Sequence, residues 1–255
     1  GLNQTVNFKK DFGPQLGDIK LTDLSKVDDK EFSKKISPVY KAIKKVSENN
    51  LIKNKNLIGF VGAPWTLLVY MINKKSPKKK LIKDFFKDRV LINETLKILE
   101  KFLKLHIKNQ IKSGASVIQI FDSWAGLLEE KDLPYYVYNP TINLVDYTRS
   151  LNIPTICFPR GIKNYKFFCD IVKPDVVNID YNIDPISIVK EIQIPVQGGL
   201  DPKILLLDKE SIKKKALYYL NIFKDHPYIF NLGHGVLPET NPNMVDYLVK
   251  TVKGY

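Results

Sequence analysis

The chain has 255 residues, 44% of them apolar, and a formal net charge of +13. That length suits one large domain or two small ones, and about 250 residues is the size of a (β/α)8 barrel. No apolar run approaches the ~20 residues of a membrane span, and the opening GLNQTVNFKKDFG lacks the basic-then-apolar pattern of a secretory signal.

Arginine occurs only at Arg89, Arg149 and Arg160, so nearly all the positive charge is lysine. The lysines are scattered over helix faces, dense only in KKSPKKK (74–80) and KKK (213–215), with no RNA-binding aromatic motif and no zinc finger. Neither nucleic acid nor a membrane is therefore the expected partner, and the positive field suits an acidic small molecule. Cys157 and Cys169 match no C-x-x-C or zinc spacing. They read as two free thiols in a reducing, cytoplasmic setting, with a disulfide left open.

In chain order, residues 1–50 offer one weak strand, TVNF, and one helix near 31–49. Six short apolar runs follow: LIGFVGAP (57–64), ASVIQIFDS (115–123), IPTICFPRG (153–161), DVVNIDYNID (175–184), IPVQGGLDP (194–202) and HPYIFNLGHG (226–235). Most are continuous rather than alternating, as in parallel strands buried on both faces. Helical patterns fill the gaps. Residues 93–112 align Leu96, Leu99, Leu103, Ile107 and Ile111, and Gly114 is a stop signal. The last helix carries the stripe Val245, Leu248, Val249 and Val252. Asn241–Pro242, Asp184–Pro185 and Asp201–Pro202 read as N-caps followed by proline at the first helical position.

Strand-then-helix, six times over, predicts a parallel α/β fold. A doubly wound sheet fits, but nearly every strand ends in polar or glycine-containing residues, and a barrel gathers such ends at one rim. There is no G-x-G-x-x-G and no P-loop. The expectation is a single (β/α)8 barrel domain over 1–255. Six strands do not close eight, and no initiating Met is present. About two strands are therefore expected to precede Gly1.

At the strand ends stand Tyr70, Phe121, Asp122, Ser123, Gln197 and His234. Tyr70 is equally readable as core, and Asp122 and Ser123 as caps of the following helix. Asp201 reads as a cap, His106 and His226 as structural. His234 sits between two glycines, which implies a sharp bend or a close approach. It is either a structural plug or a group aimed at a ligand. The set contains hydroxyls and an imidazole but no metal cluster and no nucleophile–base triad, which suits orienting an acidic substrate.

The runs GFVGAPWTLLVYMI (59–72), QIFDSWAG (119–126), VQGGLDP (196–202) and FNLGHGVLPETNP (230–242), with the opening GLNQTVNF, closely resemble uroporphyrinogen decarboxylase, in order and through essentially the whole chain. The resemblance implies a (β/α)8 barrel, a homodimer, and removal of the four acetate carboxyls of uroporphyrinogen in haem synthesis, without metal or organic cofactor. It implies substrate contact by Tyr70, Ser123 and His234, with Phe121 lining the cleft. The chain departs from the family at Gly199, where Asn is usual, and at Asn73, where Glu or Ala is usual. The family's N-terminal arginine-rich motif and its FSDIL-like acidic strand are absent. No catalytic residue is therefore assigned within the chain, and little activity or independent stability is expected of it alone. Two other readings are a zinc-dependent cobamide or methionine-type methyltransferase on the same barrel, and a non-catalytic tetrapyrrole-binding relative. The methyltransferases need His and Cys ligands at a spacing this sequence lacks.

Overall fold

The computed structural model describes residues 1–9, 13–77, 80–82 and 85–255, so Lys78 and Lys79 of the basic run at 74–80 lie outside it. The chain divides into two units, Gly1–Ile162 with Ile171–Lys173, and Lys163–Asp170 with Pro174–Tyr255.

The first unit opens on a hairpin. β1 (Val6–Lys9) pairs antiparallel with β2 (Gly13–Leu16), Val6 opposite Leu16. TVNF is thus a strand, but of a ribbon outside the parallel set. The single helix expected near 31–49 is two, α1 (Asp29–Lys35) and α2 (Ser37–Ser47). Pro38 explains the break, because it has no N–H for the Lys34 carbonyl and its ring crowds the preceding turn.

Three parallel strands follow, β3 (Ile58–Gly62), β4 (Val117–Asp122) and β5 (Thr155–Pro159), each inside an expected run. Gly62 lies opposite Phe121, and Phe121 opposite Phe158. Between them run α3 (Pro64–Asn73), α4 (Arg89–Lys112) and α5 (Asn139–Ser150). Trp65, Leu68, Ile107, Ile118 and Leu144 are fully buried in this unit. On α4 the stripe of Leu96, Leu99, Leu103 and Ile107 is buried as expected. Ile111 is only half-buried, and the seam runs through Phe102 and Gln110 instead. The Gln110 amide bonds both backbone groups of Phe60, its Oε1 accepting from the N–H (3.1 Å) and its Nε2 donating to the C=O (2.9 Å). Among the described residues β4 is the one strand partner of β3, so Gln110 occupies its other edge.

The second unit holds most of α6 (Tyr165–Val172) and three more parallel strands. These are β6 (Val176–Ile179), β7 (Val196–Gly198) and β8 (Tyr228–Ile229), with Asn178 opposite Gln197 and Gln197 opposite Ile229. α7 (Pro185–Glu191) begins at Asp184, whose carboxylate accepts from the Ile186 and Ser187 N–H groups. α8 (Lys209–Ile222) and α9 (Pro242–Lys253) complete the unit. Asn241 caps α9 as expected, while Asp201 caps a short 3-10 turn rather than an α-helix. On α9 only Leu248 is fully buried, and Val249 stays 44% exposed. A terminal helix is packed along one side only, so the outer flank of its apolar stripe meets water.

Parallel strands alternating with helices give the α/β class, with six strands of the (β/α)8 pattern among the described residues. No described helix is long and apolar enough to cross a membrane.

Candidate functional site

Tyr70, Phe121 and Ser123 belong to the first unit and His234 to the second. Phe121 is half-buried at the end of β4, its ring edge-on to Phe60 (5.9 Å) and to Phe158 (6.2 Å). Three adjacent strands thus present an aromatic row on one face. Phe60 leaves 63% of its surface open. Tyr70 is half-buried on α3, edge-on to Trp124 at 5.8 Å. It also lines an apolar cavity of about 260 Å³ with Leu67, Met71, Leu103 and His106. Ser123, half-buried, sits between Asp122 and Trp124.

Asp122 does not cap the turn that follows it. That turn, Ala125–Leu127, has Trp124 at its N-cap and no side-chain cap bond. Strand alternation puts Asp122 on the face of Ile118 and Ile120, both buried, and its own exposure is 3%. Its Oδ1 accepts from the Thr66 hydroxyl at 2.6 Å, and its Oδ2 has no partner among the described residues. Burial pushes its pKa up to about 7, against the lowering effect of the Thr66 hydrogen bond and the nearby Trp124 N–H dipole. The sequence names Asp122 at a strand end but reads it as a cap, not as an interior acid. The missed signal is the period-2 register, which sets an acid among isoleucines.

His106 and His226 are tied into the surrounding structure. His106 pairs through Nδ1 with the Tyr40 hydroxyl at 3.1 Å, and burial lowers its pKa to about 4. His226 Nε2 meets the Ile192 carbonyl at 2.8 Å. Cys157 is buried, Cys169 half-buried, and neither is held in a disulfide among the described residues. Burial pushes the Cys169 thiol up to about 12, which makes it a poor nucleophile. Among the described residues no three His, Cys, Asp or Glu side chains gather as a metal site.

In the second unit the two glycines flanking His234 differ. At Gly233 a Cβ would run into the backbone of Tyr181, so glycine is required by close approach. At Gly235 a Cβ meets nothing within 4 Å. The crowding inferred from the sequence is therefore one-sided. His234 itself is exposed, and its Nδ1 accepts from the Gly235 N–H at 2.7 Å. The neutral ring then carries its proton on Nε2. Gln197 is buried and donates to Asn178 Oδ1 at 2.7 Å, a bond between neighbouring strands.

Gly199 has φ +93, and its carbonyl accepts from the Tyr219 hydroxyl at 2.6 Å. A Cβ there meets Tyr219 Cε1 at 2.9 Å and Ile179 Cδ1 at 3.0 Å. Gly199→Asn is expected to lower the unfolding free energy by about 1–3 kcal/mol, from strain and overpacking together. Urea unfolding checks this, and a loss under about 0.5 kcal/mol contradicts it.

A family model described as Uroporphyrinogen decarboxylase matches residues 1–255. A curated uroporphyrinogen decarboxylase from Rickettsia bellii is 39% identical, the match covering all of this chain and 76% of that protein. One from Rickettsia felis is 38% identical over all of this chain and 75% of its own length. Among solved structures, a methyltransferase from Methanosarcina mazei superposes with a TM-score of 0.76 at 17% identity, covering 99% of this chain and 76% of that one. A B12-independent methionine synthase from Shewanella gives a TM-score of 0.52 at 12% identity, over 98% and 74% of the two chains. These two structural likenesses concern the fold.

Proposed function

The chain belongs to the uroporphyrinogen decarboxylase family, and from that premise we propose that it removes the four acetate carboxyls of uroporphyrinogen III, giving coproporphyrinogen III. One observation carries the reading. The family match spans residues 1–255 and so includes Tyr70, Phe121, Ser123 and His234.

The chemistry needs no external electron sink. Protonation at a pyrrole carbon makes the ring cationic, the C–CO2 bond breaks into it, the exocyclic carbon takes a proton to become methyl, and the ring carbon gives up the first proton, so one proton is consumed for each CO2 released. The protein's part is to hold a flexible, eight-carboxylate macrocycle and to stabilise positive charge on the ring. We assign Tyr70 and Ser123 to hydrogen bonds with the substrate, Phe121 to ring contact, and His234, through Nε2, to a carboxylate or a pyrrole edge. The net charge of +13 favours so acidic a ligand. The same reading has the enzyme acting in the cytoplasm as a homodimer, without metal or organic cofactor, and with neither nucleic acid nor membrane as partner.

The test is anaerobic turnover of uroporphyrinogen by the full-length protein, with coproporphyrinogen quantified. Formation of coproporphyrinogen is expected. Tight porphyrinogen binding without carboxyl loss would replace the enzyme by a tetrapyrrole-binding relative.

A further inference from the structure

Ser123 has no regular element of its own, yet both of its neighbours are fastened to α3. The Thr66 hydroxyl donates to Asp122 Oδ1 at 2.6 Å and accepts from the Trp124 N–H at 3.3 Å. The Trp65 indole N–H donates to the Trp124 carbonyl at 3.0 Å. The Trp124 ring in turn lies edge-on to Tyr70, one turn further along the same helix. At the root of α3 the Ala63 N–H bonds the Phe121 carbonyl at 2.9 Å. Thr66 thus bridges the residue before Ser123 to the residue after it through a single hydroxyl.

We propose that Thr66 and Asp122 are positioning residues, which together fix the Ser123 turn against α3 and so set Ser123 and Tyr70 in register with each other. The inference rests on the substrate roles proposed above for Ser123 and Tyr70. Asp122 points away from the Phe121 face and serves through Thr66, not by touching substrate. A hydroxyl is needed at Thr66 because it must give one hydrogen bond and receive another. A misplacement of about 1 Å at a reacting centre costs on the order of 10²-fold in rate, so a loosened turn should register in kcat.

The experiment compares Thr66→Val, which keeps the shape and loses both bonds, with Thr66→Ser, which keeps both. In the full-length protein Thr66→Val is expected to lower kcat for coproporphyrinogen formation by about 10- to 100-fold, with KM within about threefold. Thr66→Ser should regain most of it. Asp122→Ala should behave like Thr66→Val, and Asp122→Asn, whose amide oxygen still accepts from Thr66, should recover turnover. Thr66→Val within twofold of wild type overturns the proposal. So does a folded Thr66→Ser or Asp122→Asn as slow as its partner variant. If Thr66→Val does not fold, the Asp122 pair decides. If the wild-type protein forms no coproporphyrinogen, the proposed reaction fails separately, and amide exchange tests the positioning. Residues 123–127 should then exchange at least about tenfold faster in Thr66→Val or Asp122→Ala than in wild type. Equal protection overturns it.

Discussion

Alanine at His234 is expected to lower kcat/KM for uroporphyrinogen by about 10- to 100-fold while leaving the fold intact. A hydrogen bond to a charged group is worth about 1.5–3 kcal/mol, which sets that range. The Gly235 N–H holds Nδ1 as the acceptor, so the neutral ring offers Nε2 as a donor with a defined direction. The side chain is exposed, so its removal should change stability by less than about 0.5 kcal/mol. His234→Gln, which can still donate, should retain more activity than His234→Ala. Steady-state kinetics beside a thermal melt separates the cases. An alanine variant with unchanged kcat/KM would remove His234 from the site. One that melts early would make it a structural plug.

The second large effect concerns stability and pH. The Asp122 carboxyl keeps its proton up to about pH 7 in the folded chain, against an ordinary value near 3.8. Between those limits the unfolded chain binds fewer protons than the folded one. The Asp122 contribution is therefore fully present below about pH 4, and it is lost as pH rises through about 7. Three pH units correspond to about 4 kcal/mol at most. Asp122→Asn cannot ionise, so the free-energy difference between variant and wild type should swing toward the variant by up to that amount between pH 4 and 8. His106 slopes the other way. Its pKa is lowered to about 4, so its contribution is present above about 6.5 and lost as pH falls through 4. Wild type should therefore show a muted profile, and Asp122→Asn should expose the His106 slope. Urea unfolding at several pH values measures both, and a constant difference from pH 4 to 8 refutes the assignment.

The parallel strands were legible because most lie in continuous apolar runs, and Val61, Ile118, Ile156, Val177 and Val196 are indeed buried, although β3 is buried on one face only, with Ile58 and Phe60 exposed. The N-terminal ribbon was not. Its pairing is set by a partner segment, and VNFK alone carries no signal of direction. Phe121, Ser123 and His234 could be named from their place beyond strand ends, whereas Tyr70 lies well inside α3, and the surroundings of all four could not be read. Asp122 and Ser123 look alike in IFDS, yet alternation sends one among isoleucines and leaves the other half-buried. The two glycines beside His234 look equivalent, yet only Gly233 has a backbone against it. That distinction depends on Tyr181, far away in sequence.

The Gln110 amide has the same donor and acceptor as a peptide group, and at Phe60 it stands in for one residue of a neighbouring strand. A bare parallel edge invites another chain to add itself, the first step of sheet polymerisation and fibril growth. By filling one rung from within its own unit, Gln110 interrupts the template that an incoming strand would need.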